Sequence, residues 1–116
     1  MIDVNACAQL SLEKTGANVV YLYPQSKEKL PVIGFYTLME QGSFSADNSV
    51  CFRDATVAVE IFAASPKECG ELAKRVDCCM GADDWMREFS RDIPDDTDGI
   101  FHKSMRFTRT FYLEEE

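Results

Sequence analysis

Between residues 54 and 81 the spacing of apolar residues switches from two to about 3.6, with no spacer between the two patterns. In residues 54–62, Val57, Val59 and Ile61 alternate with Thr56, Ala58, Glu60 and Phe62. That is the pattern of a strand with one face against a core. Ser65-Pro66-Lys67-Glu68 follows directly and reads as a capping box. The Ser65 hydroxyl is expected to accept from the Glu68 N–H, Glu68 to reach back to Ser65, and Pro66 to take the first helical position. Cys69, Leu72, Ala73, Val76 and Met80 then recur at helical spacing, with Gly81 as the expected stop. A strand running straight into a helix forces the helix back over the sheet.

The flanking segments supply the other elements. In residues 3–14, Val4, Ala8 and Leu12 make one apolar stripe, which predicts a helix ended by Gly16. Residues 18–23 (NVVYLY) are β-branched and aromatic and predict a strand ended by Pro24. A polar loop is expected at 25–30, then a second strand over 31–40 with Pro31 at its entry. Residues 41–49, rich in Gly, Ser and Asn, predict a flexible connection. Residues 84–91 predict a short extended segment around Trp85, Met86 and Phe89. The turn-rich 94–99 leads to a strand over 102–114, with Met105, Phe107, Phe111 and Leu113 on one face and Ser104, Arg106, Thr108, Thr110 and Tyr112 on the other. The expected order is α-β-β-β-α-β-β. It predicts one α+β domain over 1–116, with two helices on one face of a mainly antiparallel sheet of four to five strands.

Composition narrows the function. The chain is 46% apolar and 11% aromatic, too rich for a disordered tail. No apolar run approaches the roughly 20 residues that cross a bilayer. Met1-Ile2-Asp3-Val4-Asn5 lacks the basic and apolar regions of a secretory leader, so no export by signal peptide is expected. Twenty acids against twelve bases give a net charge of −8, with five acids and three bases in residues 1–50 and fifteen and nine after them. No basic run exists to hold phosphates or an anionic membrane, so neither sequence-specific nucleic-acid binding nor membrane binding is expected.

The five cysteines, at 7, 51, 69, 78 and 79, are odd in number and include no C-x-x-C pair. They predict neither a disulfide framework nor zinc, and are expected to be small buried apolar residues in a reducing compartment. The turn Asp95-Asp96-Thr97-Asp98-Gly99 fails as a calcium loop, because its register puts Pro94 at the first ligand position and Met105 at the bidentate one. His102, the single histidine, is expected to be a surface or hydrogen-bonded structural residue. No phosphate loop or hydrolase motif is present, so no enzyme, cofactor or metal is expected. Phe62 and Tyr112 are instead the candidate interface residues, because each points to the sheet face opposite its apolar neighbours.

Residues 56–76 (TVAVEIFAASPKECGELAKRV), with the form E-x-x-E-L-A-x-x-V in the capped helix, resemble tailed-phage tail-terminator or tail-completion proteins. So does 98–108 (DGIFHKSMRFT), leading to an aromatic strand and an acidic end, along with the Tyr23-Pro24 step and the Pro31-initiated strand. The resemblance spans much of the chain and rests on hydrophobic pattern and capping rather than on chemical signatures. It implies a small α+β domain that closes the head-proximal end of the tail tube as a ring, commonly a hexamer. Tail-tube and head-connector proteins would be its partners and the virion tail its location, after synthesis in the host cytoplasm. It implies no cofactor and no active site. DNA would pass through the ring, where an acidic lumen would not hold phosphates. Five cysteines depart from what an air-exposed virion component needs, unless they are buried.

Two other classes remain. One is a small α+β ligand-binding or regulatory domain of a cytoplasmic protein. The other is a thiol enzyme pairing Cys51, Cys78 or Cys79 with His102.

Overall fold

A computed structural model describes residues 2–24, 29–44, 50–94 and 99–114. Its elements are α1 (Val4–Glu13), β1 (Asn18–Tyr21), β2 (Val32–Phe44), β3 (Val50–Ala63), α2 (Pro66–Ala82), β4 (Met86–Ile93) and β5 (Phe101–Glu114). The order α-β-β-β-α-β-β and the α+β class are those expected. The sheet has five strands in the order β1-β2-β3-β5-β4.

Both helices cover one face. Val57, Val59 and Ile61 of β3 form one core with Ile33 and Phe35 of β2, Met105 and Phe107 of β5, and the apolar stripes of α1 and α2. These sheet residues stand level across the ladder: Phe35 opposite Val59 opposite Met105. One half of the α2 capping box forms as expected, the Glu68 N–H donating to Ser65 Oγ at 3.1 Å. In the other half Glu68 Oε1 accepts from the Ala64 N–H at 3.0 Å, one residue before the expected Ser65. Asp3 caps α1, accepting from the Ala6 N–H, and Gly16 ends it at φ +83°.

Four points refine or correct the expected fold. The sheet is mainly antiparallel as expected, with β1 pairing with β2 in parallel and the other three strand pairs antiparallel. The chain leaves β1 at Leu22, in the left-handed region at φ 67°, and Leu22 O and Pro24 lie against the Gly34 position of β2. Leu22 and Pro24 thus lie over the helix-free face of β2. Second, residues 41–44 belong to β2, because Gln41, Gly42, Ser43 and Phe44 pair with Asp54, Arg53, Phe52 and Cys51. The rest of that expected loop lies outside the described residues.

Third, Gly81 does not stop α2. The helix runs to Ala82, and Asp84 at φ 71° makes the turn, with the Trp85 N–H on Met80 O and the Asp84 N–H on Gly81 O. This is a Schellman arrangement with aspartate where glycine is usual. Trp85 therefore precedes β4 and is buried against the core. Fourth, of the four cysteines whose exposure is described, Cys69 alone is fully buried; Cys7 and Cys79 are partly exposed and Cys78 is exposed. Cys78 falls on the side of α2 away from the stripe that faces the sheet.

The C-terminal ends of the helices are tied together by Asp83. It accepts from the Ser11 hydroxyl and from Lys14 Nζ at 2.9 Å. The Ser11 hydrogen bond, then Lys14, hold the Asp83 carboxyl below its ordinary value. A carboxylate with a depressed folded pKa stabilises the fold while ionised, and that contribution is lost as pH falls through the folded pKa. Asp83→Asn is therefore expected to lower the urea midpoint at pH 7. The difference from the parent should shrink below about pH 4. A gap that stays constant down to pH 2.5 would contradict this role for the carboxylate.

Candidate functional site

The sheet face away from the helices is a set of rows fixed by the strand register. The first is Val32, Phe62, His102 and Ile93; the second is Gly34, Glu60, Ser104 and Arg91. Tyr36, Ala58, Arg106 and Phe89 form the third, and Met39, Thr56, Thr108 and Met86 the fourth. Gln41, Asp54 and Thr110, then Ser43, Phe52 and Tyr112, continue on β2, β3 and β5 without β4. No lysine stands in these rows, and Glu60 and Asp54 are their two acids.

Glu60 organises the upper half of the face. Its Oε1 lies 3.0 Å from His102 Nε2, and its Oε2 accepts from Ser104 Oγ at 2.6 Å. Phe62 stacks on the His102 ring with centroids 4.2 Å apart. The side chains of Glu60 and His102 are only 9% and 13% exposed. Serine, histidine and a carboxylate thus meet, but in the wrong sequence for nucleophilic catalysis. There the imidazole sits between hydroxyl and carboxylate and takes the proton. Here the carboxylate sits in the middle, and Ser104 donates to it rather than to His102. The cluster satisfies buried polar groups.

Tyr36 and Tyr23 extend the cluster, their hydroxyls 3.1 Å apart. The Tyr36 phenol is pushed up to about 12, first by its hydrogen bond to Tyr23, then by burial and the nearby Tyr23 and Glu60 charges, against an opposing Arg106. Arg106 lies 4.7 Å over the Phe89 ring, and its Nε is buried without a hydrogen-bond partner among the described residues.

The lower half of the sheet outruns its helices. β2, β3 and β5 are 13, 14 and 14 residues long, about 45 Å at ~3.3 Å per residue. α1 and α2 have 10 and 17 residues, about 15 and 26 Å. Past Thr108, where β4 ends, β2, β3 and β5 continue as a three-stranded arm. Its first rows are still covered, by Trp85 edge-on to Phe111 and by the start of α1, where Thr37 Oγ1 donates to Asn5 Oδ1 and Asn5 lies beside Glu40 and Arg53. The molecule measures 55 × 22 × 21 Å, with a radius of gyration of 15.7 Å against about 13 Å for a compact chain of this length.

Tyr112 is on the arm, 70% exposed, with the Phe52 ring edge-on at 5.8 Å. Phe62 is at the other end of the same face, about 33 Å away along β3, and half-covered by His102. The structure therefore places both candidate interface residues on the helix-free face without bringing them together. A cleft of ≈ 490 Å³ opens between the first turn of α2 and the β4–β5 end, lined in part by Pro66, Cys69, Asp92, Phe101 and Lys103. Its polar groups already have partners: Lys103 pairs with Asp92 at 2.9 Å, and Cys69 Sγ faces Phe101 O.

The fold does not assemble the thiol–imidazole couple. Cys78 and Cys79 ride on α2, on one side of the sheet, and His102 lies on the other. Cys51 is paired with Leu113 at the arm end, far from the Phe62–His102 register. Burial pushes the Cys69 thiol up, away from reactivity. Among the described residues no group of three metal-ligating side chains converges, and no helix is long and apolar enough to cross a membrane. The failed calcium loop lies largely outside the described residues. No family model matches this chain, and no curated protein matches it.

Proposed function

We propose that this chain is a non-enzymatic assembly protein that closes into a ring, in the manner of a phage tail terminator joined to a tail tube and a head connector. The observation that carries the reading is the helix-free face and its projecting arm. Tyr23, Tyr36, Tyr112, Phe52, Phe62, Phe89, Met39, Met86, Arg91 and Arg106 dominate that side, and lysine is missing from its rows. Interface cores are enriched in Tyr, Phe, Met and Arg and depleted in Lys, Glu and Asp. The acids concentrate elsewhere: Glu68, Glu71, Asp77, Asp83 and Asp84 all belong to α2 and its end. A charged helical side and an aromatic sheet side suit a subunit that buries one against neighbours and leaves the other in water or facing a lumen.

Light scattering of the full chain tests this. The expected mass is a multiple of 13.1 kDa; a monomer at all concentrations would count against the proposal. Tyr112→Asp is expected to weaken assembly by about thirtyfold, as loss of a central interface tyrosine does. The melting temperature of the monomer should barely move, because exposed substitutions cost within about 0.5 kcal/mol. For the competing ligand-binding reading, the corresponding result is a ligand-dependent rise in melting temperature with no change in mass.

A further inference from the structure

β1 lies against β2 only over Val32–Phe35, and β4 lies against β5 only between His102 and Thr108. The sheet therefore narrows from five strands to four, then to three in the arm. On the arm, β2 at 39–44 and β5 at 109–114 each have a backbone edge with no strand partner among the described residues. β3 lies between them, so the two edges cannot meet within one chain. They stand at equal height, Glu40 and Arg109 both level with Ala55 and Gly42 and Phe111 both level with Arg53. They also run in the same direction, since each strand is antiparallel to β3.

The geometry points to a second copy of this chain as the occupant of these edges: β5 at 109–114 of one copy pairs in parallel with β2 at 39–44 of the next. Repeated around an axis, the contact closes a ring. The inference rests on the ring reading above and names its joint. Four features support it. The β2 edge already takes a parallel neighbour, because β1 occupies it until the chain leaves at Leu22, and an incoming strand continues that position. The two open segments match in length. A sheet that narrows from five strands to three is a wedge, and wedges set side by side make a tapering ring rather than a flat, open ribbon.

Charge supplies the fourth. At equal height Arg109 of one copy faces Glu40 of the next on the same side of the sheet. Arg109 has no ion-pair partner among the described residues, its guanidinium lying over the Phe111 and Trp85 rings at 4.4 and 5.9 Å, while Glu40 has only Arg53 at 3.6 Å. The outer edge of β4, by contrast, is guarded by a bulge between Arg87 and Phe89 and by alternating charges, the usual protection of an edge that must stay single. The β2 strand has its own bulge between Thr37 and Met39, above the proposed joint, and no charged residue stands at Gln41 or Gly42. Two different surfaces meeting head to tail form a heterologous contact, which gives a ring when the rotation closes.

The test uses Gln41→Pro and Gly42→Pro, read by light scattering with circular dichroism as the control for folding. Successive N–H groups along a strand point to opposite edges. One proline therefore breaks the ladder to β3, and the other removes a donor only from the open edge. The variant that folds is expected to be a monomer of 13.1 kDa. Independently of the prolines, Glu40→Arg and Arg109→Glu should each weaken assembly by about tenfold or more, and the double variant should recover most of the loss. A folded proline variant that keeps the parent's mass overturns the joint and leaves the ring reading standing. A particle that stops at two copies and is sensitive to the proline overturns it as well, because the β2 edges would then pair with each other. A parent that stays monomeric at every concentration removes the ring reading and the joint together.

Discussion

Gly34→Ala is expected to destabilise the fold by about 3 kcal/mol, the upper range for forcing extra volume into a packed site, and to lower its melting temperature by roughly 12 °C. The cause is backbone against backbone. A Cβ at position 34 would run into Leu22 O and come within 3.0 Å of Pro24 Cδ. The carbonyl cannot swing aside, because the Leu22 N–H is held on Phe35 O at 2.8 Å. Leu22 is already in the left-handed region, costing about 1 kcal/mol or more for a residue with a side chain. Relief would require releasing β1 from β2, where Asn18 stands level with Val32, a residue fully buried on the helix-free face. Thermal unfolding checks the value. Gly42→Ala, where the new Cβ would lie at an ordinary 3.7 Å from Phe52 O, serves as the control. Equal losses in the two variants would show that strand propensity, not the Leu22 contact, makes glycine necessary at 34.

The same contact shows why part of the fold was legible in the chain and part was not. The Val57–Val59–Ile61 alternation and the Ser65–Glu68 cap are local signals, and each assigned its element, its buried face and its start. Nothing local marks β1 as a parallel neighbour of β2. That depends on where Leu22 turns, and a leucine at positive φ leaves no signature. Residues 41–44 read as a loop because Gly and Ser have poor strand propensity, yet the ladder to residues 51–54 overrides it. Asp84 replaced the expected Gly81 for a similar reason: aspartate tolerates the left-handed conformation, so the true stop was masked by a glycine three residues earlier. At the candidate site, alternation correctly assigned Phe62 and Tyr112 to the face opposite the core. The Glu60 cluster was missed, although a glutamate inside the apolar run VAVEIF is itself a signal that something across the sheet must satisfy it.

Glu60→Ala is expected to cost about 3 kcal/mol, comparable to Gly34→Ala but for a different reason. Removing the carboxylate strands two partners at once, His102 Nε2 and Ser104 Oγ, in a place where Phe62 covers the imidazole and water has little access. Each buried polar group left without a partner costs about 1–3 kcal/mol. Glu60→Gln keeps an acceptor for Ser104 and an amide for the imidazole, so its loss should be about 1 kcal/mol, a typical hydrogen-bond contribution. Replacing the whole set with apolar groups of similar shape, as in Glu60→Leu with His102→Phe and Ser104→Ala, should recover most of what Glu60→Leu alone loses. Chemical denaturation of the four variants gives the comparison. The direction of the effect also bears on function. Groups held for catalysis are commonly strained, and their removal stabilises the protein, whereas a cluster that exists to satisfy its own polar atoms destabilises it when broken. A Glu60→Ala variant more stable than the parent would therefore turn attention back to chemistry at this face. The expected loss, with assembly retained when Glu60→Gln is tested by light scattering, would make the cluster the polar pin of a sheet whose arm is left free to join its neighbour.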